Sequence, residues 1–365
     1  MKQKIITIIF CVLLGAGLCA GLLMPDRDYS EHERRSLMQL PKPTAATVRS
    51  GAFGSDLEQY LSDQFPMRDA WVTVKTFADR LSGKKESGGV YFADNGFLIE
   101  IHSTLDTAQM QTNLSAVKAL GDRLNGIPVW FMPVPTASCV LSDLLPAYAP
   151  NADQHAVISA AKDAGIRTVD VSEPLASHQD EYIYYKTDHH WTSLGAYYAY
   201  AAWMDEKGES ALPLSDWQTE TLSDSFRGTT FAKVNDPFAA YDTLTAYFRS
   251  AHHVSYNQGS YEADSIYERS ALSGSDQYAV YCNSNQADTV ISGSGAGKLL
   301  LLKDSYANTF SQFPVEDYAE VHMIDLRFFR KSVPEYIKEH DITEVLILYN
   351  IPNFCEDTNI ARCAK

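Results

Sequence analysis

Residues 298–305 read Lys-Leu-Leu-Leu-Leu-Lys-Asp-Ser. A strand with one face in water alternates apolar and polar residues, so this unbroken leucine run predicts a strand that is buried on both faces. Other short apolar runs also predict strands, and helical patterns separate them. The predicted strands are 128–133, 167–171, 298–302, 320–325 and 344–349, and the predicted helices are 109–124, 153–164 and 334–340. This alternation indicates an α/β fold with a mostly parallel sheet flanked by helices.

Ser305 stands where the leucine strand leads into the start of a helix. Backbone N–H groups at a helix N-terminus favour negative charge and can hold an oxyanion. A serine hydroxyl also needs a neighbouring base, and that base needs a carboxylate to orient it. An Asp-Ser pair after a strand is more often an ordinary turn, so the interpretation of Ser305 as a nucleophile depends on finding those partners.

The partners that a nucleophilic serine needs lie together at residues 188–191, which read Asp-His-His-Trp. A helical pattern follows at once, with Thr192 as the expected N-cap. In an open α/β sheet the functional loops gather at the carboxyl ends of the strands, so this loop and the Ser305 loop can meet. An Asp-x-His sequence alone is more often a local hydrogen-bonded pair. The two motifs together favour a triad of Ser305, His190 and Asp188.

The N-terminal residues 1–25 predict a signal anchor. Lys2 and Lys4 precede an apolar run of about 20 residues, which is long enough to span a bilayer, and the positive-inside rule keeps both lysines in the cytoplasm. A cleaved signal peptide and a lipoprotein signal around Cys19 are the alternatives. All three place the body of the protein outside the cytoplasm. The anchored form would lie at the cell membrane on its extracytoplasmic side.

The exported part divides into two predicted regions. Residues 26–100 form a linker, two helices and a hairpin, and this region is expected to pack on the main domain. The hairpin turn is expected at Asn95-Gly96, because this pair accepts the positive φ angles of a type I′ turn. Residues 101–365 form the main α/β domain, with residues 212–297 as a long polar insertion of short alternating runs.

The composition excludes some classes of partner. The formal net charge is −16, so the surface does not suit nucleic acid, whose phosphates need basic groups. A neutral polymer, or one with free amines, is easier to accommodate. The cysteines outside the anchor either pair as disulfides or stay as buried thiols; they are Cys139, Cys282, Cys355 and Cys363. No cofactor and no metal site is predicted.

The two motifs resemble those of a known family. Asp-His-His-Trp-Thr at 188–192, with Lys-Asp-Ser-Tyr at 303–306, is similar to the DHHW-protein branch of the alginate O-acetyltransferase family, whose members are SGNH-hydrolase-like. Looser similarities are Gln-Phe-Pro-Met-Arg-Asp at 64–69, Pro-Val-Pro-Thr at 133–136, Phe-Arg-Gly-Thr at 226–229 and Ile-Asp-Leu-Arg at 324–327. The resemblance runs from about Glu33 to Asn350.

The resemblance implies an SGNH-like fold, circularly permuted because the Asp-His pair precedes the serine. It implies an outward-facing O-acetyltransferase in which Ser305 is the nucleophile, His190 the base and Asp188 its orienting carboxylate. An acetyl group would pass through an acyl-serine to a polysaccharide hydroxyl. A membrane-bound O-acyltransferase would be the partner that supplies the acetyl group across the membrane. The wider superfamily has Gly before the Asp-Ser pair, and Lys303 at that position is a departure that bears on the oxyanion geometry.

Further residues are predicted to bind the oxyanion or the substrate, namely Asn350, Gly228, Arg327, Trp191 and Tyr185. Asn350 or the Gly228 backbone would join the serine N–H in holding the oxyanion. Trp191 and Tyr185 would belong to an aromatic wall for a sugar, and for Trp191 the alternative is a core residue that locks the loop. Arg327 would contact the substrate, with a surface salt bridge as the alternative.

Three other functions remain open from the sequence. An acetylesterase would use the same triad with water as the acceptor. Asp-His-His at 188–190 also resembles the motif of metal-dependent phosphoesterases, although their further spaced Asp ligands are not visible in the sequence. A non-catalytic polysaccharide-binding protein would keep the fold without turnover.

Overall fold

The computed structural model describes residues 2–30, 35–124 and 126–365. Residue 1 of the predicted anchor, residues 31–34 of the predicted linker, and with them Glu33, where the family resemblance begins, lie outside the described residues. The chain forms two compact units. The first is Met1–Gly88 with Ala232–Phe238, and the second is Gly89–Phe231 with Ala239–Lys365.

The secondary structure alternates between helices and short strands. The helices are α1 (Lys2–Leu23), α2 (Ala45–Ser50), α3 (Ala52–Asp63), α4 (Arg68–Leu81), α5 (Thr107–Arg123), α6 (Ala137–Val140), α7 (His155–Asp163), α8 (Ser172–Ala176), α9 (Ser193–Glu206), α10 (Thr229–Val234), α11 (Ala307–Phe310), α12 (Val333–Glu339) and α13 (Ile351–Glu356). The strands are β1 (Tyr29–Ser30), β2 (Arg35–Ser36), β3 (Glu86–Ser87), β4 (Val90–Phe92), β5 (Leu98–Glu100), β6 (Val129–Val134), β7 (Gln218–Phe226), β8 (Asp242–Phe248), β9 (Val254–Tyr256), β10 (Tyr261–Ala263), β11 (Asp288–Ser292), β12 (Lys298–Lys303), β13 (Glu320–Ile324) and β14 (Glu344–Asn350).

The first unit contains helices α1 to α4. Within the described residues, no helix has both the length and the apolar character that crossing a membrane requires. The signal anchor therefore stays a prediction. Helix α3 ends at the buried Asp63, whose two carboxylate oxygens accept hydrogen bonds of 2.8 and 2.6 Å from Arg35. These bonds to the guanidinium lower the pKa of Asp63 to about 2.

The predicted hairpin is present and belongs to the second unit. Strands β4 and β5 pair antiparallel, and Asn95 and Gly96 have φ angles of 56° and 79°. The connection is longer than the two-residue turn that the sequence predicted, because Phe92 pairs with Leu98. A 3-10 turn over Asp94–Gly96 fills the loop. The Asn-Gly pair thus takes the positive φ angles expected of it, in a different type of turn.

The main sheet of the second unit has a parallel centre. Across the part of the chain that the structure describes, the strand order is β10-β9-β11-β13-β12-β14-β6. Strands β13, β12, β14 and β6 pair parallel, whereas β10, β9, β11 and β13 pair antiparallel in that order. The result is a mixed α/β fold in which most strands run in one direction, as the apolar strands predicted.

The leucine strand is buried on both faces. Leu299 and Leu301 belong to one apolar core, which helix α9 covers. Leu300 and Leu302 belong to a second core on the opposite face, which α5, α7, α12 and α13 cover. Each of these leucines is fully buried, and such burial stabilises the fold by about 1.5–3 kcal/mol per side chain. Strand β12 is therefore fixed from both sides.

Two predictions about the chain between the strands need correction. Residues 167–171 do not form a strand, because Thr168 meets Phe131 of β6 only through an isolated bridge. Residues 212–297 are more than an insertion, since they supply β9, β10 and β11 to the main sheet as well as the β7–β8 hairpin. Cys282, Cys355 and Cys363 are buried free thiols, as the second of the two cysteine alternatives has it, whereas the free thiol of Cys139 is only partly buried.

Candidate active site

The turn after strand β12 is held by a buried carboxylate. The Asp304 N–H donates to the Leu348 carbonyl at 3.2 Å, which ties the turn to β14. One Asp304 oxygen accepts from the Asn350 N–H at 2.9 Å, from Asn350 Nδ2 at 2.7 Å and from Asn353 Nδ2 at 3.0 Å, and the other accepts from the Tyr306 N–H at 2.9 Å. Burial raises the pKa of Asp304 although these bonds oppose the shift. The turn therefore presents the next residue, Ser305, from a rigid frame.

Ser305, His190 and Asp188 form a continuous chain of hydrogen bonds. His190 Nε2 lies 2.7 Å from Ser305 Oγ, and His190 Nδ1 lies 2.5 Å from Asp188 Oδ1. Asp188 Oδ1 also accepts from the His190 backbone N–H at 3.0 Å. Asp188 and His190 are buried, whereas Ser305 is partly exposed. A reactant can thus reach the hydroxyl while the imidazole and carboxylate stay out of water.

The second oxygen of Asp188 is held from the other side. Thr229 donates to Asp188 Oδ2 with its N–H at 2.7 Å and with its hydroxyl at 3.0 Å. Burial acts to raise the pKa of Asp188, but the charge interactions with His190 and His189 and the hydrogen bonds outweigh it and hold the pKa well below its ordinary value. Asp188 is therefore an ionised carboxylate that fixes the ring of His190.

The loop that carries Asp188 is held by another buried carboxylate. Asp242 accepts from the backbone N–H groups of Lys186 at 2.8 Å and Thr187 at 2.7 Å. The Thr187 hydroxyl and the Tyr182 hydroxyl donate to it as well, each at 2.5 Å. Thr192 caps helix α9 as predicted, since its hydroxyl accepts from the Gly195 N–H at 3.3 Å. The Asp-His-His-Trp loop is thus held on both sides, by Asp242 before the motif and by the Thr192 cap after it.

Gly228 lies against Asp188 instead of facing an oxyanion. Its N–H donates to the Thr187 hydroxyl at 3.2 Å. A Cβ at position 228 would overlap the side chain of Asp188. The residue therefore has to be small so that Thr229 can reach the carboxylate, and its backbone N–H is already used.

The two aromatic residues expected in a sugar-binding wall are in the core. Trp191 is 0% exposed and donates from its indole nitrogen to the Tyr306 carbonyl at 3.0 Å. Tyr185 is 1% exposed and makes edge contacts with Phe226. A sugar ring cannot stack on a side chain without accessible surface. Trp191 therefore has the core role that was its alternative, and the place expected for Tyr185 in a sugar-binding wall is wrong.

Asn350 and Arg327 are both engaged with carboxylates near the Ser305 turn. The Asn350 side chain donates one Nδ2 hydrogen to Asp304 and caps helix α13 by accepting from the Asn353 N–H at 3.0 Å. Arg327 pairs with the fully buried Asp325 through Nε at 2.9 Å and Nη2 at 2.5 Å. Burial acts against the charged form of Arg327, but the bonds to Asp325 prevail and raise its pKa. This is a partly buried ion pair instead of the surface salt bridge considered above.

The sequence did not identify Tyr278, and it marked Lys303 only as a departure at the position where the wider superfamily has Gly. Tyr278 stacks on His190 with a centroid distance of 4.0 Å and an interplanar angle of 9°, and its hydroxyl donates to the Ser305 carbonyl at 3.1 Å. Lys303 is buried, and its ammonium donates to Asn285 and Asn308 at 2.7 Å each. Tyr278 lies in a polar segment without a periodic pattern, so no sequence signal pointed to it.

The Asp-His-His group also has the spacing that a metal site needs. One ligand atom from each of Asp188, His189 and His190 lies within 4.8 Å of the others. These atoms already make hydrogen bonds, since His189 Nδ1 lies 2.5 Å from the Thr229 hydroxyl and Asp188 Oδ1 binds His190. A cation would have to replace both bonds, so the geometry favours the hydrogen-bonded arrangement over a phosphoesterase metal centre.

Comparisons with known proteins agree with the resemblance seen in the motifs. No curated protein sequence matches the chain. The fold is similar to that of a DHHW family protein from Eubacterium siraeum, with 25% identity and a TM-score of 0.63 over 76% of this chain and 95% of that chain. It is also similar to Bacillus cereus PatB1 with a sulfonyl adduct, with 20% identity and a TM-score of 0.62 over 76% of this chain and 98% of that chain.

The family model described as DHHW protein matches residues 116–324, which is more than half of the chain and includes both motifs. The mixed α/β fold places these two motifs in hydrogen-bond contact. The chain belongs to the DHHW protein family.

Proposed function

We propose that this protein is an extracytoplasmic O-acetyltransferase that moves an acetyl group through Ser305 onto a hydroxyl of a polysaccharide. The observation that carries the proposal is the hydrogen-bond chain from Ser305 Oγ through His190 to Asp188, with distances of 2.7 and 2.5 Å. This is the arrangement that a nucleophilic serine needs, namely a base within reach and a carboxylate that orients the base.

In the first half-reaction, His190 Nε2 takes the proton of Ser305 Oγ as the oxygen attacks the carbonyl carbon of the acetyl donor. The tetrahedral intermediate collapses to the acyl-serine, and the leaving group departs with the proton from His190. Asp188 stays ionised throughout, because its low pKa keeps the proton on the imidazole. The imidazolium that forms is therefore paired with a fixed negative charge.

In the second half-reaction, a sugar hydroxyl takes the place of the donor. Its proton passes to His190 Nε2 as its oxygen attacks the acyl carbon, and the new ester leaves as Ser305 Oγ recovers the proton. Water in place of the sugar would give acetate, so an acetylesterase differs only in its acceptor. The transferase must therefore bind a sugar hydroxyl closer to the acyl carbon than water.

We propose that the oxyanion of the tetrahedral intermediate accepts hydrogen bonds from the Ser305 backbone N–H and from the second Nδ2 hydrogen of Asn350. The Asn350 amide is held against the Ser305 turn by its bond to Asp304 at 2.7 Å, so its position is fixed before the reaction, as electrostatic stabilisation requires. Gly228 is no longer assigned to this role, since its N–H donates to Thr187.

We propose the donor from the family resemblance and the acceptor from the charge. A membrane-bound O-acyltransferase would deliver acetyl groups to the body of this protein, held at the outer face of the cell membrane by the predicted N-terminal anchor. The net charge of −16 disfavours a polyanionic acceptor. We therefore propose a neutral polysaccharide, or one that carries free amines, as the acceptor.

The test is the partition of acetyl groups between products. Purified protein is incubated with an activated acetyl ester and a set of neutral and amine-bearing oligosaccharides, and both O-acetylated sugar and free acetate are measured. The proposal predicts acetylated sugar that disappears in Ser305→Ala, while this variant keeps its melting temperature. Acetate alone would assign the esterase. Sugar binding without any turnover in either protein would assign the binding protein.

A further inference from the structure

Tyr278 contacts both residues that exchange a proton at the site. Its ring lies flat on the imidazole of His190, with centroids 4.0 Å apart and planes 9° from parallel. Its hydroxyl donates to the backbone carbonyl of Ser305 at 3.1 Å. Burial raises the pKa of Tyr278 well above its ordinary value, so the phenol stays neutral and remains a donor.

The other groups that face His190 are differently placed. Asp188 binds Nδ1 of the ring, and Ser305 binds Nε2. The rings of His189 and Tyr306 lie 3.9 and 5.2 Å away but are inclined by 35° and 48°. Tyr278 is thus the aromatic ring that, among the described neighbours, presents its face to His190.

A ring face attracts a cation within about 6 Å of its centroid, because the face of an aromatic ring is electron-rich. The neutral imidazole gains little from such contact, whereas the imidazolium gains more, and more still when the pair is shielded from water. Tyr278 and His190 are both buried. The stack therefore favours the protonated state that His190 passes through in each half-reaction.

Tyr278 is held in place by its surroundings. The rings of Tyr281 and Tyr185 make edge contacts with it, at centroid distances of 5.4 and 6.3 Å. The chain then passes through Cys282–Ser284, where each residue has a positive φ, at 54°, 52° and 65°. Residues other than glycine adopt this left-handed conformation at a cost, and such strain persists only where the surrounding structure enforces it.

Lys303 provides such an anchor at the end of this strained turn. Its ammonium binds Asn285, which follows the turn, and Asn308, which follows the Ser305 loop, at 2.7 Å each. One buried cation thereby ties the segment that carries Tyr278 to the segment that carries Ser305. The geometry of the stack is coupled to the position of the nucleophile.

We propose that Tyr278 is a positioning residue that stabilises the imidazolium form of His190 with its ring face and holds the Ser305 backbone with its hydroxyl. The first role rests on the proposed function of His190 as the general base. Both roles act through other residues, since the aromatic ring itself takes no proton and forms no bond to a reactant.

The test separates the ring face from the hydroxyl. Tyr278→Phe keeps the ring and removes the hydroxyl. Pentafluorophenylalanine at position 278 keeps the shape of phenylalanine but withdraws electron density from the ring face. In each full-length protein, the titration midpoint of His190 is followed by NMR of its imidazole carbons, with the signal assigned by its loss in His190→Asn.

We expect the His190 midpoint in Tyr278→Phe to stay near that of the wild type. It should fall by about 0.4 to 1.5 pH units on going from phenylalanine to pentafluorophenylalanine. Equal midpoints in these two proteins would overturn the ring-face role. The NMR readout needs no turnover, so the absence of acetyl transfer would reject the proposed function without deciding this point.

The hydroxyl role is measured by the acylation rate of Ser305 in Tyr278→Phe. Loss of one buried hydrogen bond predicts a rate about 3- to 10-fold lower. Tyr198→Phe is the matched control, because Tyr198 donates its hydroxyl to Glu181 and away from the triad. Equal rates in Tyr278→Phe and the wild type would overturn this part of the proposal.

Discussion

Replacing Asp188 by asparagine keeps the shape of the side chain and removes its charge, and its consequences follow from the four hydrogen bonds that the carboxylate accepts. Two come from His190 and two from Thr229. An amide has one accepting oxygen, so it has to turn its NH₂ group toward one of these partners. The backbone N–H groups of Thr229 and His190 can both only donate, at 2.7 and 3.0 Å. The shorter Thr229 bond, with the Thr229 hydroxyl as a second donor beside it, selects the oxygen, and the His190 N–H loses its acceptor.

The amide NH₂ then faces His190 Nδ1, which must accept. The ring proton moves to Nε2, the nitrogen that lies 2.7 Å from Ser305 Oγ, and His190 can no longer take the serine proton. The same change in the triad of a serine protease lowers kcat by about 10⁴-fold. This corresponds to about 5.5 kcal/mol of activation free energy. We expect a loss of this order in the acylation rate of Asp188→Asn.

The assay is the single-turnover release of the leaving group from an activated acetyl ester, with protein in excess over ester. Asp242→Asn is the matched control, because Asp242 is also buried and also accepts four hydrogen bonds, from Tyr182, Lys186 and Thr187, without touching His190. Both variants lose a buried carboxylate, which costs about 1–3 kcal/mol of stability. The reasoning is refuted if Asp188→Asn acylates as fast as Asp242→Asn.

Three further predictions concern charge and steric fit. Burial lowers the pKa of Lys303 from 10.5 to about 8. Between pH 8 and pH 10.5 this lysine is protonated in the unfolded state and largely deprotonated in the folded state. It therefore makes the free energy of unfolding rise with pH in this range, and it adds no pH dependence below pH 8. The free energy of unfolding of the wild type relative to Lys303→Met should accordingly increase by roughly 3 kcal/mol between pH 8 and pH 10.5, measured by denaturant titration, and a constant difference would contradict it. Gly228→Ala should lower the acylation rate by about 100-fold or more, because the new Cβ would overlap Asp188 and thereby displace His190, the proposed base. An unchanged rate would show that the close approach of residue 228 to Asp188 is not needed. Arg35 lowers the pKa of Asp63 from 3.8 to about 2, so the stability that ionised Asp63 contributes is complete above about pH 4 and is lost as the pH falls through 2. Asp63→Asn should therefore lower the free energy of unfolding by roughly 2 kcal/mol at pH 7 and by less as the pH approaches 2. Equal losses of stability at pH 7 and pH 2 would count against this prediction.

Local patterns predicted the parts of the fold that depend on local burial. The apolar run at 298–302 predicted strand β12, and the run at 344–349 predicted β14, because both strands are covered on both faces. Residues 167–171 read Arg-Thr-Val-Asp-Val, an alternating pattern that is typical of a strand, but they meet the sheet only at Thr168. Strands β9 and β10 have three residues each, which is too short for a period to be recognised.

The same distinction between local and distant contacts decides which parts of the site the sequence could predict. Asp188 and His190 are close in sequence and their hydrogen bond is local, so spacing was enough to suggest it. The contact of His190 with Ser305 joins residues 115 positions apart, and the motifs suggested it only because both lie at strand or loop ends of one sheet. Tyr278 reaches His190 through tertiary packing and a left-handed turn. Aromatic content alone could not distinguish it from the buried Tyr185.

The measurement that tests the central claim most directly is the site of covalent modification. Protein is mixed with an activated acetyl ester, and separately with a sulfonyl fluoride, then quenched in acid and mapped by mass spectrometry of its peptides. A sulfonyl fluoride is a suitable second reagent because it reacts with an activated serine hydroxyl. The account predicts one modified residue, Ser305, at a rate that falls with His190→Ala and Asp188→Asn. Modification at another residue, or at Ser305 with equal rates in these variants, would contradict it.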